Sequence, residues 1–149
     1  MTTWSDLSGR LLEGAHVLPV RVYYEDTDFS GIVYHGAYVR FFERGRSDLL
    51  RLAGIHHREL KDGVSGVSLA FAVRKMDLEF LKPATIDDLL EVKTSLLEHK
   101  GARIALRQTI FRDDVLLVSA HVTVAVITSE GKPTRLPKPL SDRLAELGH

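Results

Sequence analysis

The stretch that decides the fold is Tyr23–Arg51, YYEDTDFSGIVYHGAYVRFFERGRSDLLR. Its first part is acidic and turn-forming, and it contains the aspartates Asp26 and Asp28 and the glycine Gly31. After a short apolar step, apolar residues recur at three- and four-residue spacing. This periodicity is typical of an amphipathic helix with one broad apolar face. The sequence therefore predicts an acidic turn followed directly by a long helix.

The apolar stripe of this helix is formed by Tyr38, Phe42, Gly45, Leu49 and Leu52. Gly54 stands where a C-terminal cap is expected. Gly45 is unusual, because a glycine inside a helix costs about 1 kcal/mol relative to alanine. We therefore expect Gly45 to allow close approach by a strand or by a partner helix.

A carboxylate stands close in sequence to the expected start of the helix. Asp28 precedes His35 by seven residues across a glycine-containing turn. A helix that begins near residues 34–36 directs its unpaired N–H groups, and roughly half a positive charge, toward that turn. Such donors can hold a developing oxyanion. A nearby carboxylate can then act as a nucleophile or as a general base.

The segment Asp26–Arg46, DTDFSGIVYHGAYVRFFERGR, resembles the acidic-turn-and-helix motif of the 4-hydroxybenzoyl-CoA thioesterase family of hotdog-fold proteins. It is most similar to the bacterial Tol-Pal-associated acyl-CoA thioesterase subgroup, whose motif reads roughly D-T-D-x-x-G-x-V-Y-H-x-x-Y-x-x-[FY]-x-E-x-x-R. The rest of the chain matches the family in length and layout. The resemblance implies one hotdog domain over residues 1–149, with an N-terminal arm at residues 1–16 and a C-terminal tail at residues 132–149.

The resemblance also implies the site. The catalytic acid falls on Asp28, and the oxyanion donor falls on the backbone N–H of His35. The sequence departs from the subgroup at residues 36–37, which are Gly-Ala where the subgroup more often has Ala-Asn or Ala-Arg, and this bears on the helix start. The pocket residues that the motif implies are Tyr34, Gly36 and Tyr38.

Three other acids in the motif compete with Asp28. Glu25 and Asp26 carry the same charge, and we expect them to be turn acceptors or solvated acids. Some hotdog thioesterases place their acid on the central helix, which makes Glu43 the alternative catalytic residue. We expect Glu43 instead to pair with a neighbouring arginine, and the candidates are Arg40, Arg44 and Arg46.

Coenzyme A carries phosphates, so a thioesterase that uses it needs cations near the pocket mouth. Lys100 and Arg103 flank a tight turn between two strands, and Lys132 and Arg135 lie in the tail. Family members bind the nucleotide part of CoA in about these two places. Each of the four residues could instead be an ordinary solvated charge.

Composition excludes several classes of function. At 149 residues with a formal net charge of zero, the chain is unlike proteins that bind nucleic acid through bulk charge. It has no cysteine, and no apolar run approaches the roughly 18 residues of a membrane span. His56 and His57 are adjacent and lack an H-E-x-x-H companion, so we expect no metal site. No glycine-rich nucleotide loop is present, no cofactor is expected, and a cytoplasmic location is the default.

The order of elements predicts an α+β fold. Strands are expected at residues 17–24, 67–81, 88–99, 102–112 and 115–128, with short helices near residues 56–61 and at the C-terminal end. An antiparallel five-stranded sheet wrapped around one long central helix is the hotdog arrangement that the resemblance implies. The last strand is apolar on both faces, which favours a homo-oligomer, either a dimer or a tetramer.

The expected function is hydrolysis of an acyl-CoA thioester to a free acid and CoA. Asp28 either attacks the carbonyl or deprotonates a water molecule, and the sequence leaves both routes open. Two alternatives also stay open: a hotdog hydratase or dehydratase, which the ring of His35 would serve, and a module that binds acyl-CoA or an acyl carrier protein. The acyl preference is not defined by one sequence.

Overall fold

The computed structural model describes residues 3–63 and 68–147. The strands are β1 (Arg10–Leu12), β2 (Ala15–Arg21), β3 (Leu69–Phe80), β4 (Leu89–Lys100), β5 (Arg103–Arg112) and β6 (Val115–Thr128). The helices are α1 (His35–Leu52), α2 (His57–Asp62) and α3 (Lys138–Leu147), and a short 3-10 helix spans Tyr24–Asp26.

All strands of the described residues belong to one antiparallel sheet with the order β1-β2-β4-β5-β6-β3. The long helix α1 packs on one face of this sheet and buries Phe41 and Phe42 completely. The predicted α+β hotdog arrangement is therefore confirmed, as are the short helices near residue 57 and at the C-terminal end.

The predicted number of five strands is wrong, because the sheet has six strands within residues 3–63 and 68–147. Part of the predicted N-terminal arm forms β1, which pairs with β2 from Arg10 opposite Val17 to Leu12 opposite Ala15. The intervening Glu13 and Gly14 have φ of 50° and 80°. Two left-handed residues make the tight turn that a two-residue hairpin requires. Glu-Gly is not among the usual signals for this turn, so the sequence did not reveal it.

At Gly45 the helix α1 approaches the sheet closely, as its position predicted. A Cβ atom at Gly45 would lie 2.9 Å from Cγ1 of Val92 and 3.0 Å from Oγ1 of Thr94, both on β4. Such distances are too short for ordinary packing. The absence of a side chain at this position therefore sets how closely α1 can lie against β4.

A buried amide ties α1 to the sheet beside this contact. The side chain of Gln108 on β5 is fully buried, and its Nε2 donates to the carbonyl of Phe42 and to Oγ1 of Thr94, both at 2.9 Å. Its Oε1 accepts a hydrogen bond of 3.0 Å from Nη1 of Arg46. Because burying a polar group without partners is costly, this satisfied amide favours one arrangement of helix and sheet.

The outer strand β3 contains a bulge at Arg74. Phe71 pairs with Val126 and Phe80 pairs with Val118, and both valines are buried on the face that α1 covers. Side chains alternate along a strand, so residues nine positions apart would otherwise point to opposite faces. The extra residue at Arg74 shifts the alternation and brings Phe71 and Phe80 to the same face.

One edge of β3 is open. Its twelve residues pair with β6 on one side, and no other strand of the described parts of the chain pairs with it. An edge of this length presents a row of unpaired backbone groups, which in native proteins is usually covered or paired. None of the described helices is both long and apolar enough to cross a membrane.

Candidate active site

The acidic turn is a small closed loop. A bridge between Thr27 and Val33 joins its two ends. Within the loop, the N–H of Asp28 donates to the carbonyl of Ile32 at 3.0 Å, and the N–H of Gly31 donates to the carbonyl of Asp28 at 3.1 Å. Gly31 has a φ of 86°, a left-handed conformation that glycine adopts without strain. These bonds hold Asp28 at a defined position, as the first residue of the tight turn in the loop.

The carboxylate of Asp28 is exposed and is hydrogen-bonded by its neighbour. Its Oδ1 accepts hydrogen bonds from the hydroxyl of Ser30 and, at 2.8 Å, from the N–H of Ser30. The hydroxyl bond and then the N–H bond, with a smaller contribution from the imidazole of His35, hold the pKa of Asp28 below its ordinary value. Asp28 is therefore ionised at neutral pH, as a nucleophile or a general base must be.

Asp26 has a different environment although it lies two residues away. Its carboxylate is buried, accepts a hydrogen bond of 2.8 Å from the N–H of Tyr23 and lies 3.6 Å from Nη2 of Arg40. Its carbonyl accepts a hydrogen bond of 3.0 Å from the N–H of Tyr34. The prediction that Asp26 is a turn acceptor is confirmed, and Glu25 is exposed.

The central helix begins at His35, within the predicted residues 34–36. The preceding residue, Tyr34, is extended, with a ψ of 144°, and its side chain forms no capping hydrogen bond with the helix. Its carbonyl accepts a hydrogen bond of 2.9 Å from the N–H of Ala37. The first N–H groups of a helix have no partner inside the helix. The helix start therefore offers donors on the side where the acidic turn lies.

Gly36 lies against the ring of Tyr34. A Cβ atom at Gly36 would lie 2.8 Å from Cε2 of Tyr34. The ring of Tyr34, which is 59% exposed, therefore lies directly against the first turn of α1. The glycine leaves room for the tyrosine ring beside the predicted oxyanion donor.

Three aromatic rings, two on the first turn of α1 and one at the end of β3, lie together. Phe80, the last residue of β3, lies with its ring centroid 4.9 Å from that of His35 and 5.8 Å from that of Tyr38. Tyr38 is buried, and its hydroxyl accepts a hydrogen bond of 3.0 Å from the N–H of Ala84. Burial raises the pKa of the Tyr38 hydroxyl, so it stays neutral. Tyr38 is thus both a structural anchor and a wall of the site.

These rings line a groove of about 190 Å³, which we call the helix-start groove. It is lined by Ile32, Val33, His35, Tyr38, Phe80, Leu81, Lys82 and Pro83. The sequence interpretation missed Phe80 and Lys82 as site residues. The alternation of Met76 and Leu78 could have indicated the face of Phe80, but only the turn that follows β3 brings Lys82 to the groove.

The four predicted phosphate-binding cations lie on neighbouring segments at one end of the sheet. Val126 on β6 joins these segments, since its N–H donates to the carbonyl of Ala102 at 2.8 Å and its carbonyl accepts from the N–H of Thr134 at 2.9 Å. All four side chains are exposed, and they are Lys100, Arg103, Lys132 and Arg135. We call this group the basic end.

Within one chain the basic end and the helix-start groove do not form one site. Phe80 of the groove pairs with Val118, whereas the basic end lies beside Val126. Eight residues of strand correspond to roughly 26 Å at about 3.3 Å per residue. The structure therefore places His35 and Tyr38 in one groove, with Asp28 near enough for the His35 imidazole to lower its pKa, and it separates the groove from the predicted cations.

Glu43 does not form the ion pair expected from the sequence. Among the described residues no arginine lies within ion-pair distance of it. Each candidate has another partner: Arg40 lies near Asp26, Arg44 lies over the ring of Phe41 and Arg46 donates to Gln108. The expected pairing was therefore wrong, because every nearby guanidinium is engaged elsewhere.

Glu43 instead forms a hydrogen-bonded group with Ser47 and His57. The hydroxyl of Ser47 donates to Oε1 of Glu43 at 2.9 Å and lies 3.2 Å from Nε2 of His57. A hydroxyl has one proton, so His57 is the donor in the second bond. His57 therefore does not act as a base toward Ser47, and this group is not arranged as a serine nucleophile.

The same three residues border a second cavity, of about 170 Å³, which we call the α1–β3 chamber. The remaining lining residues are Arg46 and the apolar side chains of Leu49, Leu50, Phe71, Val73, Leu96, Ile104, Leu106, Val124, Leu144 and Leu147. The chamber thus has apolar walls and one polar side. No group of three or more potential metal ligands occurs in residues 3–63 and 68–147.

Comparison with known proteins identifies the family. The sequence model of the thioesterase-like superfamily matches residues 22–144. The chain belongs to this superfamily. This thioesterase is 42% identical over 122 residues to the acyl-CoA thioester hydrolase YbgC of Escherichia coli (strain CFT073). The matched residues make up 80% of this chain and 88% of that protein. The family resemblance and the prediction of an enzyme are both confirmed.

Two further relatives agree. The acyl-CoA thioesterase YbgC of Haemophilus influenzae is 40% identical over 129 residues, which is 86% of this thioesterase and 93% of that protein. The crystal structure of a probable thioesterase from Bartonella henselae superimposes with a TM-score of 0.80 at 49% identity, covering 83% of this chain and 99% of that one. The hotdog fold and the thioesterase assignment therefore rest on both sequence and structure.

Proposed function

We propose that this thioesterase hydrolyses acyl-CoA thioesters to a free acid and CoA. The observation that carries the proposal is the exposed, ionised carboxylate of Asp28, whose pKa is lowered by Ser30 and, to a smaller extent, by the imidazole of His35, the first residue of α1. The names of the relatives, acyl-CoA thioester hydrolase and acyl-CoA thioesterase, support CoA as the thiol. A carrier protein that bears the same pantetheine arm is the alternative donor.

In the proposed reaction the thioester carbonyl points at the start of α1. The N–H of His35 donates to the carbonyl oxygen and holds the negative charge that develops in the tetrahedral intermediate. The helix dipole adds to this stabilisation, because its positive end lies at the same place. Loss of one such donor typically lowers the rate 10²- to 10³-fold.

Asp28 supplies the other half of the chemistry by one of two routes. Its oxygen adds to the carbonyl carbon and the C–S bond breaks, which gives a mixed anhydride that water then hydrolyses. Alternatively it removes a proton from a water molecule, the hydroxide adds to the carbonyl, and the C–S bond breaks as the thiolate leaves. Because Ser30 donates to Oδ1, the second carboxylate oxygen is the one that would react.

We also propose that the active form is a homo-oligomer. In a single chain Asp28 is exposed, the basic end is remote from the groove, and the β3 edge is unpaired in the described residues. Two copies joined antiparallel along β3 would extend the sheet and bring the basic end of each copy toward the helix-start groove of the other. The four cations would then lie near the CoA phosphates of the partner's site.

The test measures CoA release from a panel of acyl-CoAs by the wild type and by Asp28→Asn. We expect hydrolysis by the wild type and a loss of about 10²-fold or more in the variant. The matched control is Glu25→Gln, which removes an exposed acid from the same turn and should leave the rate unchanged. Equal rates for the wild type and folded Asp28→Asn would remove Asp28 from the chemistry and direct attention to Glu43.

A further inference from the structure

The acidic turn is attached to residues 81–88, a segment that we call the β3–β4 connection. A backbone bridge joins Thr85 of this connection to Ile32. The carbonyl of Ile32 in turn accepts the hydrogen bond of 3.0 Å from the N–H of Asp28. The position of the proposed catalytic acid is therefore linked, through two backbone contacts, to the position of the β3–β4 connection.

The same connection also holds the start of α1. The carbonyl of Ala84 accepts a hydrogen bond of 2.9 Å from the N–H of Val33, two residues before the helix begins at His35. The N–H of Ala84 donates to the hydroxyl of Tyr38 at 3.0 Å, three residues after that point. Ala84 thus forms hydrogen bonds on both sides of His35, whose N–H is the proposed oxyanion donor.

Packing alone does not fix the β3–β4 connection. Among residues 81–88, Ala84 is the only buried one, and the large apolar side chains of Leu81 and Ile86 are 46% and 39% exposed. A segment with few buried apolar contacts opens readily unless polar contacts hold it. The hydrogen bonds of its side chains therefore decide how well it is held.

One ion pair anchors the connection to the sheet. Oδ2 of Asp88 accepts hydrogen bonds of 2.8 Å from the N–H of Thr85 and 2.9 Å from Nη1 of Arg112. The same Nη1 donates to the carbonyl of Pro83 at 3.2 Å. Arg112 is the last residue of β5, which lies between β4 and β6 in the sheet. A single guanidinium thus attaches the connection to the sheet at two points, which flank Ala84 and Thr85.

We propose that Asp88 and Arg112 are positioning residues for the hydrolysis. Their ion pair fixes the β3–β4 connection, and the connection sets the place of Asp28 relative to the helix start at His35. Neither residue touches the reacting atoms. Because a misplacement of about 1 Å can lower a rate about 10²-fold, loss of this ion pair should slow the reaction. This inference rests on the proposed thioesterase function and adds two residues to its machinery.

The first test compares Asp88→Asn with a matched control, Asp48→Asn. Asp48 pairs with Arg51 at 2.8 Å in the last turns of α1, and its side chain is 17% exposed, against 20% for Asp88. In folded Asp88→Asn we expect kcat to fall about tenfold with KM for an acyl-CoA changed by less than about twofold, because the lost contact orients the reacting groups. Asp48→Asn should change neither value.

A double-variant cycle tests whether the effect passes through the connection. Tyr38→Phe removes the hydroxyl that accepts from the N–H of Ala84. If both changes loosen the same segment, kcat of Asp88→Asn/Tyr38→Phe should lie within about threefold of the slower single variant. Asp48→Asn/Tyr38→Phe should match Tyr38→Phe alone. Effects that multiply in Asp88→Asn/Tyr38→Phe would overturn the proposal, since the two residues would then act independently.

Amide hydrogen exchange gives a readout that needs no substrate. The N–H groups of Asp28 and Val33, which donate within the acidic turn and to the connection, should exchange faster in Asp88→Asn than in the wild type and in Asp48→Asn. An unchanged kcat in folded Asp88→Asn would overturn the proposal whatever the exchange rates. A wild type inactive on every acyl-CoA contradicts the thioesterase function instead, and unchanged exchange would then overturn the anchoring role as well.

Two variants of Arg112 cover the case in which Asp88→Asn does not fold. Arg112→Met removes the charge and both hydrogen bonds, and its kcat should fall about tenfold. Arg112→Lys keeps a positive charge for Asp88 but loses the planar guanidinium that also reaches Pro83, so its kcat should lie between those of the wild type and Arg112→Met. Equal kcat for folded Arg112→Met and the wild type would overturn the proposal.

Discussion

The ring of Phe80 lies edge-on against the ring of His35, with the centroids 4.9 Å apart and the planes at 66°. This contact joins the end of the outer strand to the first residue of the central helix. Phe80 therefore packs against His35, the residue whose backbone N–H is the proposed oxyanion donor. The position of the helix start therefore depends on a residue 45 positions later in the sequence.

Phe80→Ala should impair catalysis more than stability. Phe80 is 44% exposed, so the loss of buried area is modest. An aromatic pair contributes about 0.5–1.5 kcal/mol beyond area burial, and we expect kcat/KM to fall up to about tenfold as the helix start loosens. Leu89→Ala, another half-exposed strand position, is the control and should leave kcat/KM unchanged. A Phe80→Ala variant with wild-type kcat/KM would mean that the contact between the rings of Phe80 and His35 does not position His35.

Ser30→Ala should shift the pH dependence of the reaction. The Ser30 hydroxyl is the main cause of the lowered pKa of Asp28, and the backbone N–H bond remains in the variant. Activity needs the ionised form, so the acid limb of kcat/KM lies below the ordinary aspartate pKa in the wild type. It should move to higher pH in Ser30→Ala and stay in place in Ser30→Thr, which keeps a hydroxyl. An acid limb that does not move in Ser30→Ala would assign it to another group.

The two glycines of α1 provide a matched pair for stability. Gly45→Ala places a methyl group 2.9 Å from Cγ1 of Val92 in a buried contact, so overpacking should lower the free energy of unfolding by about 1–3 kcal/mol. This cost should exceed the gain of about 1 kcal/mol from helix propensity. Gly36→Ala meets only the exposed ring of Tyr34, which can move, and should be neutral or stabilising.

Urea denaturation of both variants measures the difference. Similar unfolding free energies for Gly36→Ala and Gly45→Ala would show that α1 can move away from β4 at little cost. Retained activity in Gly36→Ala would further show that the contact between Tyr34 and the helix start is dispensable for the reaction.

Removing two cations of the basic end should weaken substrate binding only. In Lys132→Ala/Arg135→Ala we expect KM for an acyl-CoA to rise about two- to tenfold with kcat unchanged, because exposed charge pairs contribute about 0.2–1 kcal/mol each. The same acyl group on pantetheine, which lacks the nucleotide, should show no difference. Lys138→Ala, whose ammonium already pairs with Asp142 at 2.9 Å, is the control variant. An equal rise in KM for the pantetheine substrate would argue against phosphate contacts.

Local patterns in the sequence predicted the acidic turn, the start of α1 and the close approach at Gly45. These features depend on residues that are close in the sequence. A periodic apolar stripe predicts the helix, and a helix-breaking residue indicates where the helix is unusual. The first hairpin was missed because its turn uses Glu13 and Gly14, and glutamate rarely takes a left-handed conformation.

The group formed by Glu43, Ser47 and His57 was also beyond sequence reasoning. Glu43 and Ser47 are one helical turn apart, but His57 joins them only through the angle between α1 and α2. Likewise the sequence indicated four cations but not that they lie at the far end of the sheet from Asp28. Such relationships follow from topology, which sets distances between residues that are remote in the chain.

The bulge at Arg74 determines which side chains of β3 face α1. If that one residue were deleted, the alternation would become continuous, and Phe71 and Val73 would turn away from α1 while Phe80 kept its place. The chamber would lose one wall, and an apolar strip would appear on the outer face of an unpaired edge, where strands are prone to aggregate. The arrangement of β3 against α1 therefore depends on the number of residues between Phe71 and Phe80 and not only on their identity.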